Sequence, residues 1–172
     1  PNTNSLKHIL AKTIEEYEEQ DNNNDDDQFK YDKDELISEI QQLNSYNNKL
    51  HGIMLHEKSD QNVIENNVLY GNTDGIALWH SSNNIIQNNS ITENNRGVRA
   101  NEGSNNNIIT NNRILTSAEY GVYFYKNANN NSVNDNILRN NSVAIYIKTE
   151  KNTISKNVIE DNITGIYFLE GA

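Results

Sequence analysis

From Gly52 onward the chain repeats itself, and that repeat limits the fold more than any other feature. Gly52, Gly75, Gly97, Gly121, Ala144 and Gly165 each open a short alternating apolar stretch, at successive spacings of 23, 22, 24, 23 and 21 residues. The stretches read Gly52-Ile-Met-Leu, Gly75-Ile-Ala-Leu, Gly97-Val-Arg-Ala, Gly121-Val-Tyr-Phe, Ala144-Ile-Tyr-Ile and Gly165-Ile-Tyr-Phe. A second unit, N-x-I-x-x-N-x-I-x-x-N, follows in every period. Its positions are Asn62, Asn67, Asn72; Asn84, Asn89, Asn94; Asn107, Asn112, Ser117; Asn131, Asn136, Asn141; and Asn152, Asn157, Asn162, so fourteen of fifteen are Asn. Segments this short cannot bury an apolar side alone. Neighbouring units must stack and supply one another's core.

Leucine-rich repeats have a similar period, but they need a run of leucines and a helical segment, and neither is here. Despite 35 asparagines there is no Asn-Gly dipeptide, so the usual signal for tight antiparallel hairpins is missing. The remaining solution is a single-stranded right-handed parallel β-helix of five to six coils, an all-β solenoid with three short strands per coil. Coils about 4.8 Å apart put equivalent residues above one another and give a cylinder roughly 25 Å long. Ile64, Ile86, Ile109, Val133 and Ile154 then form one inward ladder. Leu69, Ile91, Leu115 or Ile114, Leu138 and Ile159 form another. The Asn columns are expected at the bends, in the left-handed conformation, with their amides bonded between coils. Only 34% of the residues are hydrophobic, which would mean disorder if they were scattered. Concentrated in ladders, they suffice for a thin core.

The first fifty residues read differently. They hold 12 acids and 5 bases, a net −7 of the chain's −10. The change in composition sets a boundary near 49–51, with a helical acidic N-terminal segment over 1–49 and the β-helix over 50–172. Leu6, Ile9, Leu10, Ile14 and Tyr17 recur at helical spacing behind Ser5 as N-cap. Asp32 and Glu35 form a capping box for a second helix, with Leu36, Ile37, Ile40 and Leu43 on its apolar side. This helical pair is of a size to cap the open end of the solenoid. The flexible loop 21–31 between the helices places Asp21, Asn23, Asp25 and Asp32 on positions 1, 3, 5 and 12 of a calcium-binding loop. Asp26 stands where that loop needs Gly, Gln28 where it needs an apolar residue, and Asp32 where it needs Glu. The segment therefore reads as a solvated linker. Calcium at Asp21, Asn23 and Asp25 is the one cofactor these residues admit, and no other metal site is expected.

A net charge of −10 argues against a nucleic-acid partner, whose phosphates need lysine and arginine. No apolar run approaches the roughly 18–20 residues of a membrane span. Without cysteine there is no thiolate site. What remains is the face of the first strand of each coil. Alternation puts Met54, Ala77, Arg99, Tyr123, Tyr146 and Tyr167 in one outward column, and His56, Trp79, Asn101, Tyr125, Lys148 and Leu169 in the next. The only Trp and four of the nine Tyr share this face. Flat rings stack on sugar rings and polar side chains bond their edges, so Trp79, Arg99, Tyr123, Tyr125, Tyr146 and Lys148 are the candidate polysaccharide-binding residues. The tyrosines fit equally well as an aromatic ladder stabilising adjacent strands. Proton abstraction beside a sugar carboxylate needs a cation, a base and an acid. His56, His80, Arg99 and Tyr123 have those chemical types.

The segments His51-Gly-Ile-Met-Leu-His-Glu-Lys-Ser-Asp-Gln-Asn-Val-Ile-Glu-Asn-Asn and Asp74-Gly-Ile-Ala-Leu-Trp-His-Ser-Ser-Asn-Asn-Ile-Ile resemble the later coils of the mannuronan (alginate) C-5 epimerases. They are also similar to the wider set of carbohydrate-binding β-helix repeat proteins, including NosD-type copper-maturation proteins. The likeness covers about 51–172. It implies an extracellular or cell-surface protein that binds or modifies a polysaccharide, with a polyuronate as ligand and proton abstraction at uronate C-5 if it is active. Alternatives are a non-catalytic structural or adhesive β-helix and, third, a role in copper maturation. The epimerases carry an Asp-Pro-His motif, and this chain has no proline after Pro1. No catalytic residue carries over. The sixth coil opens at Gly165 and stops, so a partner, a dimer or further chain is expected against it.

Overall fold

The computed structural model describes residues 40–169. In chain order the strands are β1 (Asn44–Tyr46), β2 (His51–His56), β3 (Val63–Glu65), β4 (Val68–Tyr70), β5 (Asp74–Trp79), β6 (Ile85–Gln87), β7 (Ser90–Thr92), β8 (Arg96–Asn101) and β9 (Ile108–Thr110). They continue with β10 (Arg113–Leu115), β11 (Tyr120–Phe124), β12 (Ser132–Asn134), β13 (Ile137–Arg139), β14 (Val143–Ile147), β15 (Thr153–Ser155), β16 (Val158–Glu160) and β17 (Thr164–Phe168). Every pairing is parallel and joins each strand to the third one along the chain. The result is three sheets: β2-β5-β8-β11-β14-β17 in front, then β3-β6-β9-β12-β15, then β1-β4-β7-β10-β13-β16. The chain is a right-handed parallel β-solenoid of about five turns. There is no α-helix among the described residues.

Both inward ladders read from the sequence are present: Ile64, Ile86, Ile109, Val133 and Ile154 are in register. In the second, Ile114 and not Leu115 pairs between Ile91 and Leu138. The front sheet adds two more, Ile53-Ile76-Val98-Val122-Ile145 and Leu55-Leu78-Ala100-Phe124-Ile147. Nearly all these side chains are fully buried, and Phe124 has Ala100 as its smaller neighbour. Each fully buried Val, Leu, Ile or Phe among them is worth about 1.5–3 kcal/mol of apolar transfer. At the last coil Ile166, Phe168 and Leu169 are exposed.

The asparagines hold the corners, with one correction to the expected geometry. The ladder residues are not the left-handed ones; the residue immediately before each of them is. Positive φ falls on Asn66, Asn88, Asn111, Asp135 and Lys156, one place ahead of Asn67, Asn89, Asn112, Asn136 and Asn157. The preceding residue makes the turn, and the ladder Asn is thereby aimed along the stack. Asn89 shows the pattern: its Oδ1 accepts from the N–H and Nδ2 of Asn67, while its Nδ2 donates to Ile64 O in the coil before and to Asn112 Oδ1 in the coil after. These buried amides are tolerable because their donors and acceptors are bonded. Ser117, the one exception in the column, still donates its N–H to Asn141 Oδ1 but leaves its own hydroxyl without a partner.

The solenoid begins earlier than the boundary expected at 49–50. Gln41 bridges to Glu65, Val68 N–H donates to Leu43 O, and β1 pairs with β4. Ile40 packs against the core. Ile40 and Leu43 were expected on the apolar side of a helix, but a first coil must supply strand partners for β4, and these residues do so. The helices expected before residue 40, the loop 21–31 and the calcium candidates Asp21, Asn23 and Asp25 lie outside the described residues.

Candidate functional site

Register on the front sheet gives three outward columns. The two expected ones are there, Met54-Ala77-Arg99-Tyr123-Tyr146-Tyr167 and, at the strand ends, His56-Trp79-Asn101 continuing toward Tyr125 and Lys148. A third runs one residue ahead of the repeat glycines: His51-Asp74-Arg96-Tyr120-Val143-Thr164. The repeat glycines stand between this column and the inward one that starts at Ile53. Gly97 is tightly enclosed there, since a Cβ would fall 2.5 Å from Gly121 O.

Asp74 is the centre of the first cluster, although the sequence reading passed over it. Its carboxylate is fully buried on a nominally outer face. Oδ1 accepts from Arg96 Nε at 2.5 Å; Oδ2 accepts from Arg99 Nε at 2.9 Å and meets Arg99 Nη2 at 2.8 Å and His51 Nδ1 at 2.9 Å. Burial pushes Asp74 up, but His51, Arg99 and Arg96 together outweigh it and hold the carboxyl below its ordinary range. Burial likewise pulls Arg99 down, and Asp74 and Tyr125 more than offset it, so both partners stay charged. The network extends through Arg99 Nη1 to Tyr125 Oη at 3.0 Å, and Asn101 Nδ2 donates to the same oxygen at 3.0 Å. Arg96 reaches Glu119 at 3.4 Å.

Beside it lies an aromatic cluster of five tyrosines. Tyr123 stacks on Tyr125 with ring centroids 4.6 Å apart and on Tyr146 at 5.4 Å. Tyr120 packs against Tyr123 and Tyr146, and Tyr146 meets Tyr167 edge-on. The Lys148 ammonium sits 4.9 Å above the Tyr146 ring and 5.7 Å from that of Tyr123. These rings stay half-exposed, and Tyr120, Val143, Tyr146 and Tyr167 line a shallow depression of about 210 Å³. A second depression of about 310 Å³, at the loops beyond the strands, has Lys148, Lys126 and Glu150 on its rim. Burial raises the Tyr123 phenol above its usual range, so it remains protonated.

The expected residues thus divide. Arg99, Tyr123, Tyr125, Tyr146 and Lys148 come together, although Arg99 is only 8% exposed and its charge is committed to Asp74. Trp79 lies next to Asn101 and edge-on to His56, with its indole N–H buried and without a partner. His56 and His80 gather instead around Glu57, at 3.7 and 3.3 Å, all three about half exposed at the strand ends. Among the described residues no group of three His, Asp or Glu side chains could hold a metal, and no helix is long and apolar enough to cross a membrane. Asp74, His51, Arg96 and Tyr120 were missed because the outward columns were counted only from the residue after each Gly-Ile pair. The signal was available: the position before the glycine reads His, Asp, Arg, Tyr in successive coils.

The family described as right handed beta helix region matches residues 24–152. Among curated proteins none matches. A solved structure of a double mutant of the periplasmic alginate epimerase AlgG is 20% identical, with a TM-score of 0.67 over 76% of this chain and 36% of that one. A single mutant of the same epimerase is 23% identical over 73% and 32%, with a TM-score of 0.47. The chain spans about a third of the length of these epimerase chains, and at such identities the likeness is one of fold.

Proposed function

The chain belongs to the right-handed β-helix family, and from that premise we propose that its front sheet binds a polysaccharide, outside the cytoplasm, with the tyrosine cluster as the platform. The observation that carries this reading is the gathering of Tyr120, Tyr123, Tyr125, Tyr146 and Tyr167 into one half-exposed patch under Lys148. Sugar rings offer C–H faces to flat aromatic surfaces and hydroxyls to the polar groups around them. The ammonium over these rings steadies the ladder by a cation–π contact and also leaves a positive charge at the edge of the patch. An acidic glycan suits Lys148, which meets no carboxylate within ion-pair distance among the described residues, whereas Lys126 is tied to Glu102. Arg99 supports the platform from below. The alginate epimerase fold neighbour makes polyuronates the first ligands to try.

A second reading, proton exchange at uronate C-5, has one observation in its favour: His51, Asp74, Arg99 and Tyr125 form a single connected group. On that reading His51, oriented by Asp74, is a better candidate for the base than His56 or His80. Affinity electrophoresis against polymannuronate, polygalacturonate, xylan and chitosan tests the first reading. Retardation by the two polyuronates is expected, with roughly tenfold weakening in Tyr146→Ala. Equal migration in all four gels overturns it. Incubating polymannuronate with the protein in deuterated water tests the second: no deuterium at C-5 removes it.

A further inference from the structure

A tyrosine hydroxyl has one proton to give and two lone pairs to receive with. At Tyr125 both receiving positions are filled, by Arg99 Nη1 and by Asn101 Nδ2, each at 3.0 Å. Neither partner accepts in return: a guanidinium has no acceptor, and the amide presents its NH₂, with its own Oδ1 turned away, buried and without a partner. The oxygen cannot swing away from them. Its ring lies flat on Tyr123, 4.6 Å away and within 4° of parallel. Arg99 is clamped by two contacts to the buried Asp74, and Asn101 is 2% exposed. The proton therefore has only the outward side left. We infer that Tyr125 is a fixed hydrogen-bond donor on the platform, which selects glycans that place an acceptor oxygen over it against glycans that place an ammonium there. The ligand half of this inference rests on the polysaccharide reading above; the direction of the proton does not.

Two experiments separate the halves. Neutron diffraction from crystals of the ligand-free protein in deuterated water locates the Tyr125 deuteron and the orientation of the Asn101 amide. The deuteron is expected to point away from both neighbours. A deuteron aimed at Asn101, with the amide turned over so that Oδ1 accepts, overturns the inference whatever the protein binds. The second experiment repeats the affinity gels with Tyr125→Phe and Asn101→Asp. Removing the hydroxyl is expected to weaken retention by polymannuronate and polygalacturonate about tenfold and leave chitosan unchanged. Asn101→Asp keeps the hydroxyl but replaces its neighbouring donor with an acceptor, which draws the proton inward. It should weaken polyuronate retention as much as Tyr125→Phe, read at a temperature where both variants are folded, since a carboxylate at this buried position lowers the melting temperature. Tyr125→Phe binding polyuronates as well as wild type, while Tyr146→Ala binds poorly, overturns the selectivity and leaves the platform standing. If wild type binds none of the four polymers, the polysaccharide reading fails and takes the selectivity with it, while the neutron result still decides whether Tyr125 is a fixed donor.

Discussion

Asp74→Ala is the substitution that most directly tests whether the front face is built around a buried charge. The carboxylate is fully inaccessible and satisfies one contact from Arg96, two from Arg99 and one from His51. Truncation leaves two guanidiniums whose side chains are only 23% and 10% exposed facing each other without their counter-charge. Breaking a buried pair by removing one partner costs about 3–5 kcal/mol. Arg96 keeps Glu119 and Arg99 keeps Tyr125, so the lower end, about 3 kcal/mol, is expected. Urea unfolding at pH 7, followed by circular dichroism at 218 nm and by Trp79 fluorescence, measures it; two probes are needed because stacked repeats can unzip in parts. Asp74→Asn should lose nearly as much, since shape survives and charge does not. The acid limb provides a second test with a definite sign. Asp74 is held below its unfolded value, so its contribution is complete above about pH 4 and disappears as pH falls through the lower folded value. Wild type should therefore lose its advantage over Asp74→Asn only in that acid window. A loss below about 1 kcal/mol at pH 7 would mean that the cluster behaves as a surface ion pair, and the argument from burial would be wrong.

Asn112→Ala removes an amide that serves Asn89, Ile86, Thr110 and Asn136 at once, and at about 1–3 kcal/mol per buried group left unbonded the loss should exceed roughly 3 kcal/mol in the same unfolding assay. Gly97→Ala sets a Cβ 2.5 Å from Gly121 O and 2.6 Å from Ile114 Cγ2, so about 1–3 kcal/mol of overpacking is expected. Phe124→Ala removes the largest fully buried side chain, beside Ala100, and should lose about 3–5 kcal/mol. Lys148→Ala should leave the melting temperature unchanged and abolish the preference for polyuronate over xylan in affinity gels.

The architecture was legible because its signal is repeated: the place of Ile64 is confirmed by Ile86, Ile109, Val133 and Ile154, and an error at one coil is corrected by four others. Where the repeat leaves two equivalent choices, as between Ile114 and Leu115, only strand register decides. The left-handed corner was misplaced by one residue for a related reason. Asn is abundant at both positions, and composition cannot separate the residue that makes the turn from the one that bonds across it. The outward placement of Trp79, Tyr123, Tyr125, Tyr146 and Lys148 followed from alternation. Asp74 was missed, because its partners lie 23 residues back and 22 and 25 residues ahead in the chain, and no local pattern joins them. The start of the solenoid was read too late because Ile40 and Leu43 carry helical spacing as well as strand pairing, and tertiary contact outweighs propensity.

A stack of coils favours columns of like residues, since identical side chains placed at strand spacing satisfy one another: isoleucine on isoleucine, asparagine on asparagine. A column of charges cannot obey that rule, because like charges one coil apart repel. On the front sheet the sequence departs from its own repeat, with His51, Asp74 and Arg96 following one another in a single column and Ala77, Arg99 and Tyr123 in the next. The alternation of sign makes the departure tolerable, and the burial of Asp74 makes it specific. Each member of this cluster holds the next, from Asp74 to Arg99 to Tyr125, and the last one faces solvent. A network that only tied coils together would be complete at the ion pair. This one continues into the hydroxyl of a half-exposed ring, which is why the break in the repeat supports the proposed binding face and is not a fault in the core.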